Sequence, residues 1–101
     1  MTYAVQDTTV PSPPAGLKAT LSKTSKQIQL TWSAASDNVG VAGYRVFRNS
    51  AVVGTATTTG WIDTTIASKA TYTYWVVGYD AAGNVSAASN SVTVTLGGTR
   101  K

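Results

Sequence analysis

The feature that most constrains this chain is a two-residue alternation of apolar and polar side chains. It recurs along the sequence and never gives way to a helical period. It is clearest in Lys26-Gln-Ile-Gln-Leu-Thr-Trp-Ser33, where Ile28, Leu30 and Trp32 fall on one side and Gln27, Gln29 and Thr31 on the other. Successive side chains of a strand point to opposite faces, so this segment reads as a strand with one buried face. The same reading places strands at 17–21 and at 43–49, where Tyr44 and Val46 face away from Arg45 and Phe47. A tight turn at Asn49-Ser50 leads to a short strand at 52–53. Further strands are expected at 57–63, with Gly60 as a bulge, at 71–80, and at 90–96 with Val92 and Val94 facing inward. Turn-forming residues cluster between them, in Ala34 to Gly40 and in Ala81 to Ser86. Seven short strands punctuated in this way argue an all-β fold, two antiparallel sheets packed as a sandwich.

Composition supports that reading and removes most chemistry. The chain has 101 residues, the size of one domain. Its polarity rests on seventeen Thr and ten Ser, and only 12% of residues are charged. β-Branched residues such as Thr favour strands. There is no Cys, no His and no Glu. That excludes a thiol nucleophile, a Ser-His-Asp relay and the ordinary zinc and haem sites. A glycosidase pair would have to come from Asp7, Asp37, Asp63 and Asp80. The expectation is a non-catalytic domain without cofactor or metal. Its formal charge is +4, but Lys18, Lys23, Lys26, Arg45, Arg48 and Lys69 are scattered singly, so no nucleic-acid face is expected. No apolar run is long enough to cross a membrane, and a monomer is expected.

The ends read differently from the middle. Asp7-Thr-Thr-Val-Pro-Ser-Pro-Pro14 is an extended, proline-stiffened segment. Residues 1–13 are therefore assigned to a linker from a preceding domain, 14–96 to the folded domain and 97–101 to a second linker. Met1 opens no leader pattern, and the sequence reads as a domain excised from a longer protein.

Four phrases in order resemble one family. They are Pro14-Ala-Gly-Leu17, Ile28-Gln-Leu-Thr-Trp32, Asp37-Asn-Val-Gly-Val-Ala-Gly-Tyr-Arg-Val46, and Thr71-Tyr-Thr-Tyr-Trp-Val76 leading to Asp80-Ala-Ala-Gly-Asn-Val-Ser86. Together they resemble the fibronectin type III domain, in the bacterial form attached to secreted carbohydrate-active enzymes. The resemblance implies a seven-stranded immunoglobulin-like β-sandwich with sheets A-B-E and C′-C-F-G in that family's lettering. It also implies a secreted accessory or spacer module of a multidomain enzyme acting on polysaccharide, whose partners are the neighbouring domains of its own chain. The alternatives are a polysaccharide-binding module, or a display or adhesion module of a surface or phage protein. The loop of 81–86 lacks an Arg-Gly-Asp tripeptide, so adhesion of that type has no support.

Several side chains carry expectations of their own. Trp32 fills the space between the sheets, with Tyr44, Ile66, Tyr72 and Tyr74 as further core. Tyr72, six residues after Ile66, fits a tyrosine corner whose hydroxyl bonds upstream backbone. Gly78 leaves room for a bulky neighbour, with Trp32 the candidate. Asp37 and Asp80 read as turn caps, against a calcium or acid–base pair, and Asn84 as a left-handed residue beside Gly83. Trp61 reads as a half-buried cover of the core edge, against a ligand platform. Alternation turns Trp75, Val77 and Tyr79 outward, where Arg45 and Phe47 join them. This cluster of Phe47, Trp75, Tyr79 and Arg45 is the candidate contact for polysaccharide or for a neighbouring domain.

Overall fold

The computed structural model describes residues 10–22, 27–36, 40–67 and 69–96. Alternation becomes seven strands: β1 (Ala15–Ser22), β2 (Gln27–Ser33), β3 (Val41–Arg48), β4 (Ala51–Ala56), β5 (Gly60–Asp63), β6 (Thr71–Asp80) and β7 (Val92–Thr95). They form two antiparallel sheets, ordered β1-β2-β5 and β4-β3-β6-β7. Strand β2 buries Ile28, Leu30 and Trp32 and exposes its alternate residues, as period two requires. From the facing sheet come Tyr44, Val46, Tyr72, Tyr74 and Val76, and Leu17 joins from β1. Ile66 is half-buried and packs against this cluster. Trp32 meets Tyr44 edge-on, with ring centroids 5.4 Å apart. A tryptophan in such a place is worth about 4 kcal/mol when truncated to alanine.

The boundaries moved where the sequence lacked a packing signal. Strand β4 takes in one residue before Val52 and three after Val53, because Gly54 lies beneath the Trp61 ring and Ala56 pairs with Tyr44. Thr57 to Thr59 form a bend, in which the Thr59 carbonyl accepts from the Trp32 amide at 3.0 Å, and β5 starts at Gly60. Strand β7 is shorter than 90–96 because the Asn90 side chain serves another strand. Its Oδ1 accepts from the Leu17 amide at 2.9 Å and its Nδ2 donates to the Leu17 carbonyl at 3.1 Å. Asn49 and Ser50 both have positive φ, 51° and 73°, as a two-residue hairpin turn of the type I′ class demands.

Strand β7 pairs with β6 only over Thr71 to Tyr74. Two serines three residues apart complete the ladder beyond it. Ser89 donates its amide to the Val76 carbonyl (2.8 Å) and accepts the Val76 amide on Oγ (2.9 Å). Ser86 repeats both bonds with Gly78, each at 2.8 Å. Hydroxyls thus stand in for strand carbonyls, and buried amides of β6 keep their partners.

The sandwich has two poles. At one lie the start of β1, the loop after β2 and the turn after β6; at the other lie the β3–β4 hairpin, the end of β5 and the start of β6. The chain arrives at the first. Pro11 and Pro14 are fully buried there, so the folded body begins before residue 14 and takes in residues first assigned to the linker. Ser12 between them donates its amide to the Ser36 carbonyl (2.7 Å) and accepts the Ser36 amide on Oγ (2.9 Å). The chain leaves at the second pole, where Leu96 donates to the Ala70 carbonyl at 2.7 Å.

Candidate functional site

The four outward candidates are neighbours on β3 and β6. Phe47 pairs in register with Trp75, Arg45 with Val77 and Gly43 with Tyr79. The Phe47 and Trp75 rings are nearly parallel, 11° apart, with centroids at 5.5 Å. That is an offset stack, in which each ring covers part of the other's face. The Arg45 guanidinium lies 4.7 Å from the centre of the Tyr79 ring. Tyr79 in turn leans across Gly43, where a β-carbon would come within 2.8 Å of its ring. All four side chains are half-buried, and Val77 between them is 7% exposed although it points away from the core. Within the cluster, one face of each ring is covered by a neighbour: Phe47 and Trp75 by each other, and Tyr79 by Arg45.

Trp61 is half-buried and lies over Gly54, closing the gap between β5 and β4. Asp37 falls outside the described residues. Asp80 is 2% exposed and accepts from the amides of Ala82 (3.0 Å) and Asn84 (2.9 Å) and from Asn84 Nδ2 (3.0 Å). The left-handed residue of that turn is Gly83, at φ 92°, and not Asn84, whose contribution is these bonds to the carboxylate. The space beside Gly78 is bounded by Ala35, Tyr44 and Ser86 and not by Trp32, which sits behind Tyr44. The Tyr72 hydroxyl accepts the Ala67 amide at 2.8 Å, and Tyr72 is 8% exposed.

One group of polar residues had no signal in the sequence. Asp63 at the end of β5 is fully buried and receives four hydrogen bonds. Thr65 supplies its amide (2.9 Å) and hydroxyl (2.7 Å) to Oδ1, while Arg48 Nη1 (2.8 Å) and the Tyr74 hydroxyl (2.7 Å) meet Oδ2. Arg48 and Tyr74 belong to the other sheet, so the carboxylate ties the two layers together. Burial by itself would push this carboxyl up. The bonds from Tyr74, Thr65 and Arg48 outweigh burial and hold it below the ordinary Asp value. Burial, and then the bond to Asp63, push the Tyr74 phenol well above its ordinary value.

This arrangement bears on catalysis. Asp63 bonds Tyr74 and Asp80 ends the same strand six residues on. At about 3.3 Å per residue the two carboxylates stand roughly 20 Å apart, beyond the range of either glycosidase geometry. Both are also saturated with donors from their own surroundings. Among the described residues no cluster of acidic side chains could hold a metal ion.

With β1-β2-β5 packed on β4-β3-β6-β7, the architecture is that of the immunoglobulin-like β-sandwiches. No protein-family profile matches the chain. Individual proteins do. Chitinase Chi52 of Paenibacillus xylanexedens is 48% identical over 89 residues, covering 88% of this chain and 17% of the chitinase. Exoglucanase B of Cellulomonas fimi is 47% identical over 89 residues, covering 88% of this chain and 8% of the exoglucanase. The crystal structure of an Fn3-like protein from Clostridium thermocellum superposes with a TM-score of 0.74 at 26% identity, covering 92% of this chain and all of that one. The chain is a fibronectin type III domain of the kind shared by bacterial carbohydrate-active enzymes. It spans less than a fifth of the length of these two relatives.

Proposed function

We propose that the domain is a non-catalytic spacer in a secreted, multidomain enzyme acting on polysaccharide. The observation that carries this reading is the position of its two ends. The chain is hydrogen-bonded to one pole at Ser12 and to the opposite pole at Leu96. Domains joined at those points sit in line, separated by the body that β6 spans. Ten residues of strand make that body about 33 Å long. A separation of this kind sets the effective concentration of a catalytic domain at an insoluble polymer. The two aspartates held apart and saturated speak against turnover by the domain itself. The aromatic cluster, in which one face of each ring is covered by a neighbour, speaks for a spacer over a module that grips polymer with Phe47, Trp75, Tyr79 and Arg45.

Two measurements test this. In the parent enzyme, deleting the domain lowers activity on insoluble polymer and leaves activity on soluble oligomers unchanged; an unrelated domain of equal length restores the loss. Failure of that restoration sinks the spacer reading. The isolated chain is expected to stay in the supernatant with insoluble chitin or cellulose. Retention that disappears in Trp75→Ala at unchanged stability would instead establish a binding module.

A further inference from the structure

The strands next to the two ends of the domain carry any pull between those ends. Strand β1 runs from the N-terminal pole to the C-terminal pole, since Ala15 pairs with Ser33 and Ser22 with Gln27. Strand β7 runs the same way and ends where Thr95 pairs with Thr71, at the start of β6. The two are edge strands of different sheets. A pull on the ends therefore draws β1 toward one pole and β7 toward the other, each along its own axis. Antiparallel ladder bonds lie perpendicular to the strands, so an axial pull shears all of them together. A pull across the strands opens them one after another.

One side chain ties these two end segments directly to each other. Strand β1 breaks register between Ala15 and Lys18, where Gly16 and Leu17 oppose Trp32 alone and Gly16 takes φ 65°. That is a β-bulge with glycine in the left-handed position. It leaves Leu17 without a partner on β2, and both of its backbone groups go to Asn90 instead. The amide donates to Oδ1 at 2.9 Å and the carbonyl accepts from Nδ2 at 3.1 Å. The two residues are 73 positions apart, and Asn90 lies two residues before β7. Asn90 is exposed, a position open to any polar residue, but gripping an amide and a carbonyl at once takes a side chain with both a donor and an acceptor.

We propose that the domain is a load-bearing link, and that Asn90 is the clamp that couples its two sheets when the ends are pulled apart. Through the clamp, the route between the ends runs along residues 12–17, across the Asn90 amide and along residues 90–96. Both ends of that route are made fast: Ser12 to Ser36 by two hydrogen bonds, and Leu96 to the Ala70 carbonyl. The apolar core also joins the layers, but hydrophobic contact is non-directional and resists sliding weakly. The Asp63 network joins them through β5, β3 and β6, and reaches β1 only by way of β2. The inference rests on the spacer reading, to which it adds that the spacer transmits tension between its neighbours as well as setting their distance.

The test is single-molecule force spectroscopy on the whole chain, which has no cysteine, so handles attach at cysteines placed by choice. One pair, appended to the first and last residues, pulls along the strands. A second pair, Thr55→Cys on β4 and Thr71→Cys on β6, both exposed, pulls across β3. At equal force the chain is expected to last about tenfold longer or more end to end than crosswise. Asn90→Ala removes both bonds and should shorten the end-to-end lifetime by about tenfold, and the crosswise lifetime by less than about twofold. Asn90→Asp keeps the bond from the Leu17 amide, loses the one to its carbonyl and should fall between; it carries the test if the alanine variant does not fold. Equal shortening in both directions would reduce Asn90 to a stabiliser of the fold and overturn the proposal. So would an unmodified chain that lasts no longer end to end than crosswise. The domain swap on insoluble polymer reports the spacer role separately, so intact length dependence with direction-independent unfolding would defeat this inference alone.

Discussion

Each pole of the sandwich is organised by one buried aspartate, and the two do different work. Asp80 at the N-terminal pole gathers donors from two and four residues ahead, so among the described residues its carboxylate bonds lie within a single turn. Asp63 at the C-terminal pole gathers Thr65 from nearby, but also Arg48 and Tyr74 from the facing sheet. Both carboxylates are buried and bonded, Asp63 by four donors and Asp80 by three among the described residues. What separates them is the sequence distance of their partners, and that distance decides whether losing the carboxylate unravels a loop or loosens the packing of two layers.

The largest effect should therefore follow Asp63→Asn. All four groups around the carboxylate donate, and an amide offers one acceptor and faces a donor to the rest. Arg48 also loses its buried counter-charge. Breaking such pairs costs about 3 to 5 kcal/mol, and the partial exposure of Arg48 puts the expectation at the lower end, about 3 kcal/mol. Chemical denaturation of the whole domain reads it. A loss below about 1 kcal/mol would mean that the tie between sheets is dispensable.

The same network sets a pH window. Asp63 titrates below its unfolded value, so its contribution is complete above about pH 4 and is lost as pH falls through the folded pKa. Tyr74 titrates above its unfolded value, so its contribution is complete below about pH 10 and is lost as pH rises further. With no His, Glu or Cys in the chain, no side chain titrates at its ordinary value between these limits. Urea midpoints should be level from about pH 5 to 9 and fall on both sides. A slope inside that window would show that some other group controls stability.

Asp80→Ala should cost less, about 1 to 2 kcal/mol, because water can reach part of what it leaves behind. Its signature is local. The amides of Ala82 and Asn84 should lose protection against hydrogen exchange while those of β2 keep theirs. If instead the whole domain exchanges together, the two poles are equivalent and the contrast fails.

How much of this was legible in the sequence follows the same division between near and far. Strand β6 was visible residue for residue, because alternation is a local property. The tyrosine corner was visible too, since Ala67 and Tyr72 are five residues apart. The Asp63 network was not: Arg48 looked like one more dispersed charge, and nothing in the spacing of positions 48, 63, 65 and 74 marks a convergence that only the stacked sheets create. The aromatic face was legible as a list of residues. Its internal packing was not, because that depends on Gly43 leaving room for the Tyr79 ring and on the in-register stacking of Phe47 on Trp75. Gly78 and Asn84 were misread for a related reason. Small residues in turn-rich sequence have several possible uses, and the choice is made by neighbours distant in the chain.

The smallest effect concerns the hairpin at the C-terminal pole, and it runs the other way. Ser50 sits at φ 73°, a conformation that costs an L-residue roughly 1 to 2 kcal/mol and glycine almost nothing. Glycine gives part of this back through the greater freedom of its unfolded chain, about 0.5 to 1 kcal/mol. Ser50→Gly creates Asn-Gly, the favoured pair for this turn, without touching the bonds Asn49 makes to Thr73 and Thr71. The expected gain is about 0.5 kcal/mol, read as a higher denaturation midpoint at unchanged slope. Combined with Asp63→Asn, the gain should persist in full, because the turn is closed by Asn49 and β6 and not by the carboxylate. A gain that vanishes in the double variant would mean that the network at this pole reaches into the hairpin through Arg48. The pole would then behave as one cooperative unit, a stronger contrast with the local bonds of Asp80 than the hydrogen bonds alone require.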